Sequence, residues 1–326
     1  MSWRKAFLRA LGRFFLYGLI AIVRVLPLPL ALTLGRSLGT LTRLVSRRRY
    51  ETALKNLRIA YGNTLSPAER ERIARDCFQH FGMFVIESIK FPLLSDKEIA
   101  RRLYVREEEF ALAQSLFEEG KGCLLITGHL GSFELPGRWL AAQGHELIVL
   151  ARETRDRATT NLMTRMRQRN GMKVVTLGSG LKPVLAGLKR NACIGIVCDQ
   201  NAGDVFVPFF GQLTGTVDGP ARIALKTGTP MLFAYCVRDG RGHYMLIIQG
   251  TYRAEPTGDM QADIARVMTE VNRRHEEVIR AYPEQWLWFH DRWRSSPHVK
   301  DPTEETDART YAGAGSGTAS QGIEKE

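Results

Sequence analysis

The chain has 326 residues, 44% of them hydrophobic and 25% charged, with a formal net charge of +12. That composition belongs to a folded protein with a sizeable core, and it excludes a disordered polymer, a collagen and a polytopic transporter. Five cysteines, an odd count spread over this length, do not make a disulfide framework; Cys77, Cys123, Cys193, Cys198 and Cys236 lie in apolar stretches and read as buried thiols of a reducing compartment.

The charge is unevenly placed. Residues 1–50 hold ten basic side chains and no acidic one, whereas residues 301–326 carry six acids and two bases. A basic excess beside an apolar N-terminal stretch points to an anionic membrane surface. No zinc-finger spacing or RNP-type aromatic motif supports nucleic acid as a partner.

In chain order, residues 14–23 (FFLYGLIAIV) are continuously apolar, and VLPLPLALTLG resumes after Arg24. A spanning helix wants about 20 apolar residues, which this stretch reaches only by including Arg24, Pro27 and Pro29. Residues 1–45 therefore read as an uncleaved anchor, either spanning the bilayer or lying in its interface. A signal peptide and a buried amphipathic helix are the alternatives. From about residue 50 to 120 the pattern is helical: Ser66-Pro67-Ala68-Glu69 is a helix start, and Ile73, Cys77, Phe81, Phe84 and Val85 follow at helical spacing.

Beyond that, short apolar runs alternate with helical segments. Strands are expected at Cys123–Thr127, Glu146–Ala151, Lys173–Leu177, Ala192–Cys198, Met231–Val237 and Tyr244–Gln249. Helices are expected at Phe133–Gln143, Ala158–Asn170, Leu181–Lys189, Ala221–Thr227 and Met260–Tyr282. Residues 46–300 thus form one α/β domain with a largely parallel central sheet flanked by helices. Residues 301–326 read as a disordered polar tail.

The first of these strands runs into Gly128-His129-Leu130-Gly131-Ser132-Phe133-Glu134. A histidine at the carboxyl end of a strand is where open α/β sheets place their sites. On one helix, positions five apart are about 140° apart, so His129 and Glu134 meet only if the histidine sits in the turn and the glutamate in the first turns of the helix. Glu134 would then hold the Nδ1–H of His129 and leave Nε2 free to take a proton from a hydroxyl. A capping glutamate beside an incidental loop histidine is the alternative. Ser132 lacks the G-x-S-x-G context of a nucleophile, and the histidine spacing does not suit a zinc site. The run Val205–Gly211 (VFVPFFG) would line an acyl groove with Phe206, Phe209 and Phe210, dip into lipid, or pack as core. The cluster Trp286, Trp288, Trp293 suits a membrane interface or simple packing.

His129 and Glu134 form an H-x4-E box like that of glycerolipid and lipid A acyltransferases. The wider chain resembles the lipid A biosynthesis acyltransferase family from the apolar N-terminus to about residue 298. The segments carrying the resemblance are ITGHLGSFEL, VCDQNAGDVFVPFFGQLTGT with GPARIALKTGTP, and PEQWLWFHDRW. Ser132 and Phe133 depart from the family's usual G-H-x-G-N-W-E.

The resemblance implies a glycerolipid-acyltransferase-like fold in a cell inner membrane, with the active site facing the cytoplasm. The reaction implied is transfer of an acyl chain from acyl carrier protein, or coenzyme A, to a hydroxyl of a lipid A precursor. His129 would be the base and Glu134 its orienting partner. Arg152 matches a basic position that contacts acceptor phosphate or donor, with a surface arginine as the alternative reading. Asp199 and Gln200 match the family's D-Q pair, with a turn or cap aspartate as the alternative. No metal and no cofactor beyond the acyl donor are implied. Arg165, Arg167 and Arg169 would dock the acidic carrier protein or form a solvated helix face. Other readings keep the chemistry on another acceptor, such as a phosphatidylinositol mannoside or a lysophospholipid. A non-catalytic lipid-binding membrane protein and a soluble hydrolase complete the alternatives.

Overall fold

The computed structural model describes residue 12 and residues 17–151, 156–176, 181–240, 242–297 and 299. The N-terminal apolar stretch is broken where the prolines stand. Residues 17–25 are helical, and a new helix, α1 (Leu28–Val45), starts after Pro27 with Pro29 in its first turn, where a missing N–H costs nothing. The buried ammonium of Lys90 donates to the carbonyls of Arg24 and Leu26, at 2.9 and 2.7 Å, and so caps the end of the first helix. No described helix is long and apolar enough to cross a membrane. The expected N-terminal membrane helix is thus represented, among the described residues, by two shorter helices.

Helix α2 (Arg47–Tyr61) leads to α3 (Pro67–Lys90), whose start is the expected one. The Ser66 hydroxyl accepts from the Glu69 N–H while the Glu69 carboxylate accepts from the Ser66 N–H. Helix α1 lies directly on α3 because glycines remove the obstacle. A Cβ on Gly39 would stand 2.1 Å from the Phe78 carbonyl oxygen, and one on Gly82 2.1 Å from that of Gly35.

A short helix α4 (Asp96–Ala100) and a three-residue strand β1 (Leu103–Val105) follow. Next come α5 (Glu107–Glu118), β2 (Cys123–Thr127), α6 (Leu135–Ala142), β3 (Leu147–Ala151), α7 (Arg157–Arg169), β4 (Met172–Thr176), α8 (Lys182–Lys189) and β5 (Cys193–Val197). After a hairpin, β6 (Val205–Phe209) with β7 (Gln212–Thr216), the chain forms α9 (Gly219–Thr227), β8 (Met231–Gly240), β9 (His243–Tyr252) and α10 (Met260–Ala281). Among the described residues the main sheet has seven strands, in the order β1-β9-β8-β2-β5-β3-β4. Every pair in it is parallel except β8 with β9.

Strand alternation divides the core into two layers. Leu124 and Ile126 of β2, with Phe233 and Tyr235 of β8, face the layer shared with α8, α9 and α10. Cys123, Leu125, Leu232 and Ala234 face the layer of α5 and α6. Both faces of the central strands are covered, which is why those segments read as continuous apolar runs rather than alternating ones.

The run containing Phe206, Phe209 and Phe210 is a hairpin rather than a groove-lining loop. Its two-residue turn is Phe210-Gly211, both with positive φ (49° and 72°), as a turn matching strand twist requires. Phe209 and Phe210 are 1% and 4% exposed, packed against Trp286, Trp288 and Trp293. The Phe210 N–H donates to Glu276 and the Arg280 guanidinium lies 4.5 Å over its ring, which holds a left-handed backbone unfavourable to a bulky residue. These two phenylalanines and the three tryptophans are core. Phe206, on the opposite face of β6, is 40% exposed.

Candidate active site

Two neighbouring parallel strands build the site. Strand β2 pairs with β5 so that Cys123 faces Cys193 and Thr127 faces Val197, a constant offset of seventy residues. Carried two residues past both strand ends, that register sets His129 opposite Asp199. The His129 backbone N–H donates to Asp199 Oδ2 at 2.7 Å, and Nδ1 of its ring lies 2.7 Å from Oδ1. A carboxylate only accepts, so Nδ1 carries a proton, and in the neutral ring Nε2 then presents its lone pair. The Gln200 amide nitrogen lies 3.3 Å from that lone pair, and no protein hydroxyl is bonded there among the described residues.

Asp199 is buried, and its second oxygen also accepts the indole N–H of Trp286 at 2.7 Å. Burial alone would raise its pKa, but the positive charge that the His129 ring carries once protonated, with the hydrogen bonds from that ring and from Trp286, outweighs it and holds the carboxyl below the usual carboxylate range. Behind it the His275 ring is buried between the Tyr235 hydroxyl (2.7 Å) and the Cys198 thiol (3.5 Å). Burial pushes His275 down to about 4, so that ring is neutral at neutral pH.

Glycine shapes the histidine loop. Gly131 has φ +59°, and a Cβ there would lie 2.1 Å from the Cys236 carbonyl oxygen; one on Gly128 would press on Asp199 Oδ2 at 3.1 Å. The loop is fastened from two sides. Gly131 donates to the Gln285 carbonyl at 2.9 Å, and Ser132 to that of Cys236 at 2.8 Å. Beneath it Arg238, paired with the buried Glu87, reaches the Gly131 carbonyl at 3.2 Å. The segment containing Gln285 and Trp286 therefore holds both halves of the His129–Asp199 pair.

The expected contact between His129 and Glu134 is not the one the fold makes. Glu134 stands just before α6 and accepts from Arg167 of α7, at 2.9 Å from Nε and 2.8 Å from Nη2. Asp199 takes the partner position on the imidazole instead, because strand register delivers it there while the α6 start carries Glu134 toward α7. Arg167 is correspondingly tied up in an ion pair, whereas Arg165 and Arg169 are exposed. Arg152 lies outside the described residues. Sequence reasoning overlooked Trp286 and Arg167 as partners. The PEQW string flagged the former; nothing local flagged the latter.

An α/β sheet with a histidine and a buried carboxylate paired at its carboxyl edge fits the group-transfer enzymes as a class. The sequence model of the bacterial lipid A biosynthesis acyltransferases matches residues 1–295, and the chain belongs to that family. It is 28% identical over 279 residues to the lipid A biosynthesis palmitoleoyltransferase of Escherichia coli strain K12, covering 83% of this chain and 87% of that one. The lauroyltransferase of lipid A biosynthesis from the same strain is 27% identical over 287 residues, covering 86% and 90%. A phosphatidylinositol mannoside acyltransferase of Mycobacterium tuberculosis is 24% identical over 222 residues, covering 66% and 68%. The protein is an acyltransferase of the lipid A type, acting on a lipid acceptor.

Proposed function

We propose that the enzyme moves a fatty acyl chain from acyl carrier protein, or coenzyme A, to a hydroxyl of a lipid A precursor at the cytoplasmic face of the inner membrane. The observation that carries the chemistry is the His129 ring bonded through Nδ1 to Asp199, with its Nε2 facing the Gln200 amide. His129 takes the acceptor hydroxyl's proton as the oxygen attacks the thioester carbonyl. Collapse of the tetrahedral intermediate forms the ester, breaks the thioester and releases the thiolate, which takes the proton from the imidazolium. Asp199 stabilises that imidazolium and fixes the ring. Gln200 covers Nε2 until the hydroxyl displaces its amide. Glu134 acts through Arg167, tying the loop to α7.

The membrane reading rests on the face of α1 turned away from the core. Leu30, Leu41 and Leu44 are exposed there, Val45 is 74% exposed and the nearby Val25 82%. Arg24, Arg43 and Arg47 to Arg49 border them. Apolar side chains among cations suit a helix lying in an anionic interface rather than crossing it.

The test incubates membranes holding the wild type or His129→Ala with labelled acyl-carrier protein and a Kdo-bearing lipid A precursor. Transfer to the precursor by the wild type alone is expected. Retained transfer in the variant contradicts the base assignment. Acylation of a phosphatidylinositol mannoside in place of the precursor contradicts the acceptor.

A further inference from the structure

Attack on a thioester puts negative charge on the carbonyl oxygen, and the backbone of the histidine loop has nothing left to meet it between His129 and Ser132. The His129 N–H is spent on Asp199 Oδ2 and that of Leu130 on the Gly128 carbonyl at 2.7 Å. Those of Gly131 and Ser132 are spent on the Gln285 and Cys236 carbonyls. The donor that stands at the base is a side chain. Gln200 is half-buried, and its amide nitrogen lies 3.3 Å from His129 Nε2. Because Nε2 of the neutral ring accepts, the end of the amide facing it is the NH2 group, which carries two hydrogens. One serves Nε2, and the other has no protein partner among the described residues. The backbone on either side of Gln200 is pinned. Asp199 is held by His129 and Trp286. The Asn201 N–H donates to His290 Nε2 at 3.1 Å, and the Asn201 side chain exchanges hydrogen bonds with Ser295 at 2.9 and 3.0 Å. A donor fixed in place before the reaction needs no reorganisation when the charge appears, which is what makes such a group effective.

We infer that Gln200 is a catalytic residue whose side-chain amide donates to the oxyanion of the tetrahedral intermediate. The inference rests on the acyl-transfer reading above. A hydroxyl oxygen held about 2.8 Å from Nε2, with the thioester carbon about 3 Å beyond it, brings the carbonyl oxygen within reach of a nitrogen that already stands at Nε2. The hydroxyl displaces the amide from Nε2 and frees an N–H at the moment that the carbonyl needs one. The hydroxyl oxygen forms the new C–O bond, its proton passes to Nε2, and the carbonyl π pair moves onto the oxygen to which Gln200 donates. That pair returns as the C–S bond breaks, and the leaving thiolate takes the proton from the imidazolium. Gln200 keeps both of its own protons throughout.

The experiment compares Gln200→Met, Gln200→Glu, Gln200→Asn and His129→Ala with the wild type, each purified in detergent and checked for an unchanged melting temperature. Two rates are read: acyl transfer from labelled acyl-carrier protein to a lipid A precursor, and release of the free carrier thiol by water with no acceptor present. Methionine keeps the length without a donor, and glutamate at neutral pH only accepts. Both should lower kcat about 10²-fold or more, with both KM values near wild type, and should slow the hydrolysis by a similar factor. Gln200→Asn keeps the donor on a shorter stem and should lose less than Gln200→Met. An unchanged or raised kcat in Gln200→Met, with His129→Ala inactive, means that the amide only covers Nε2. That result overturns the inference and leaves the transferase reading standing. A loss confined to the acceptor's KM, with hydrolysis unchanged, makes Gln200 an acceptor contact and overturns the inference as well. An active His129→Ala strikes the transferase reading itself.

Discussion

Asp199 and Glu134 are two carboxylates that sequence places very differently around His129, and the fold reverses their order. Glu134 is five residues away, yet its oxygen holds Arg167. Asp199 is seventy residues away and holds both the backbone and the ring of His129. The difference lies in what carries each group. The β2–β5 ladder continues in register past both strand ends, so residues seventy apart remain neighbours. Residues 131–134 instead turn the chain away before α6 begins at Leu135. In a parallel sheet, adjacency across strands outranks adjacency along the chain for any residue at a strand's carboxyl end.

The comparison breaks most visibly at Asp199. Asp199→Asn keeps the shape but removes the charge beside Nδ1–H that, on the proposed mechanism, stabilises the imidazolium, and kcat should fall about 10³-fold with little change in KM. Steady-state transfer of labelled acyl groups measures it. Glu134 and Arg167 should behave as one unit: each alanine variant should lower kcat/KM about ten- to a hundredfold, and the double variant no further. Additive losses in that cycle would mean that the two act separately. Trp286→Phe keeps the ring packing and removes one hydrogen bond to a charged acceptor, so a loss of about tenfold in kcat is expected.

A separate effect is on stability and concerns two histidines, His275 behind Asp199 and His80, whose Nδ1 lies 3.3 Å from the Arg238 guanidinium. His275 and His80 are pushed down by burial, to about 4 and about 3. The unfolded chain would charge both near pH 6.5, so their contribution is fully present above that pH and is lost as pH falls toward 4, at up to about 1.4 kcal/mol per unit for each. Melting temperatures at pH 7.5 and 5.0 measure it, and equal values would contradict neutral buried rings.

Much of the scaffold is legible because central parallel strands are apolar on both faces. CLLIT is β2 residue for residue, and the other strand and helix expectations fall within a few residues of their elements. The histidine was legible for the same reason, standing where an apolar run meets glycine. Its partner was not, because register is a property of two strands and appears in neither alone. The β6–β7 hairpin was hidden as well. Pro208 and the aromatic run mask an alternation that the burial reveals, with Val207 and Phe209 turned inward and Phe206 and Pro208 outward. Proline is tolerated there because a two-stranded hairpin has only edges.

Which carboxylate holds the imidazole can be read from the ring nitrogens themselves. Nitrogen-15 NMR of histidine-labelled protein in detergent, with His129 assigned from His129→Ala, reports which ring nitrogen carries the proton. The wild type and Glu134→Gln should both show the neutral ring protonated at Nδ1, and Asp199→Asn should lose that tautomer. A tautomer lost in Glu134→Gln and kept in Asp199→Asn would contradict the account.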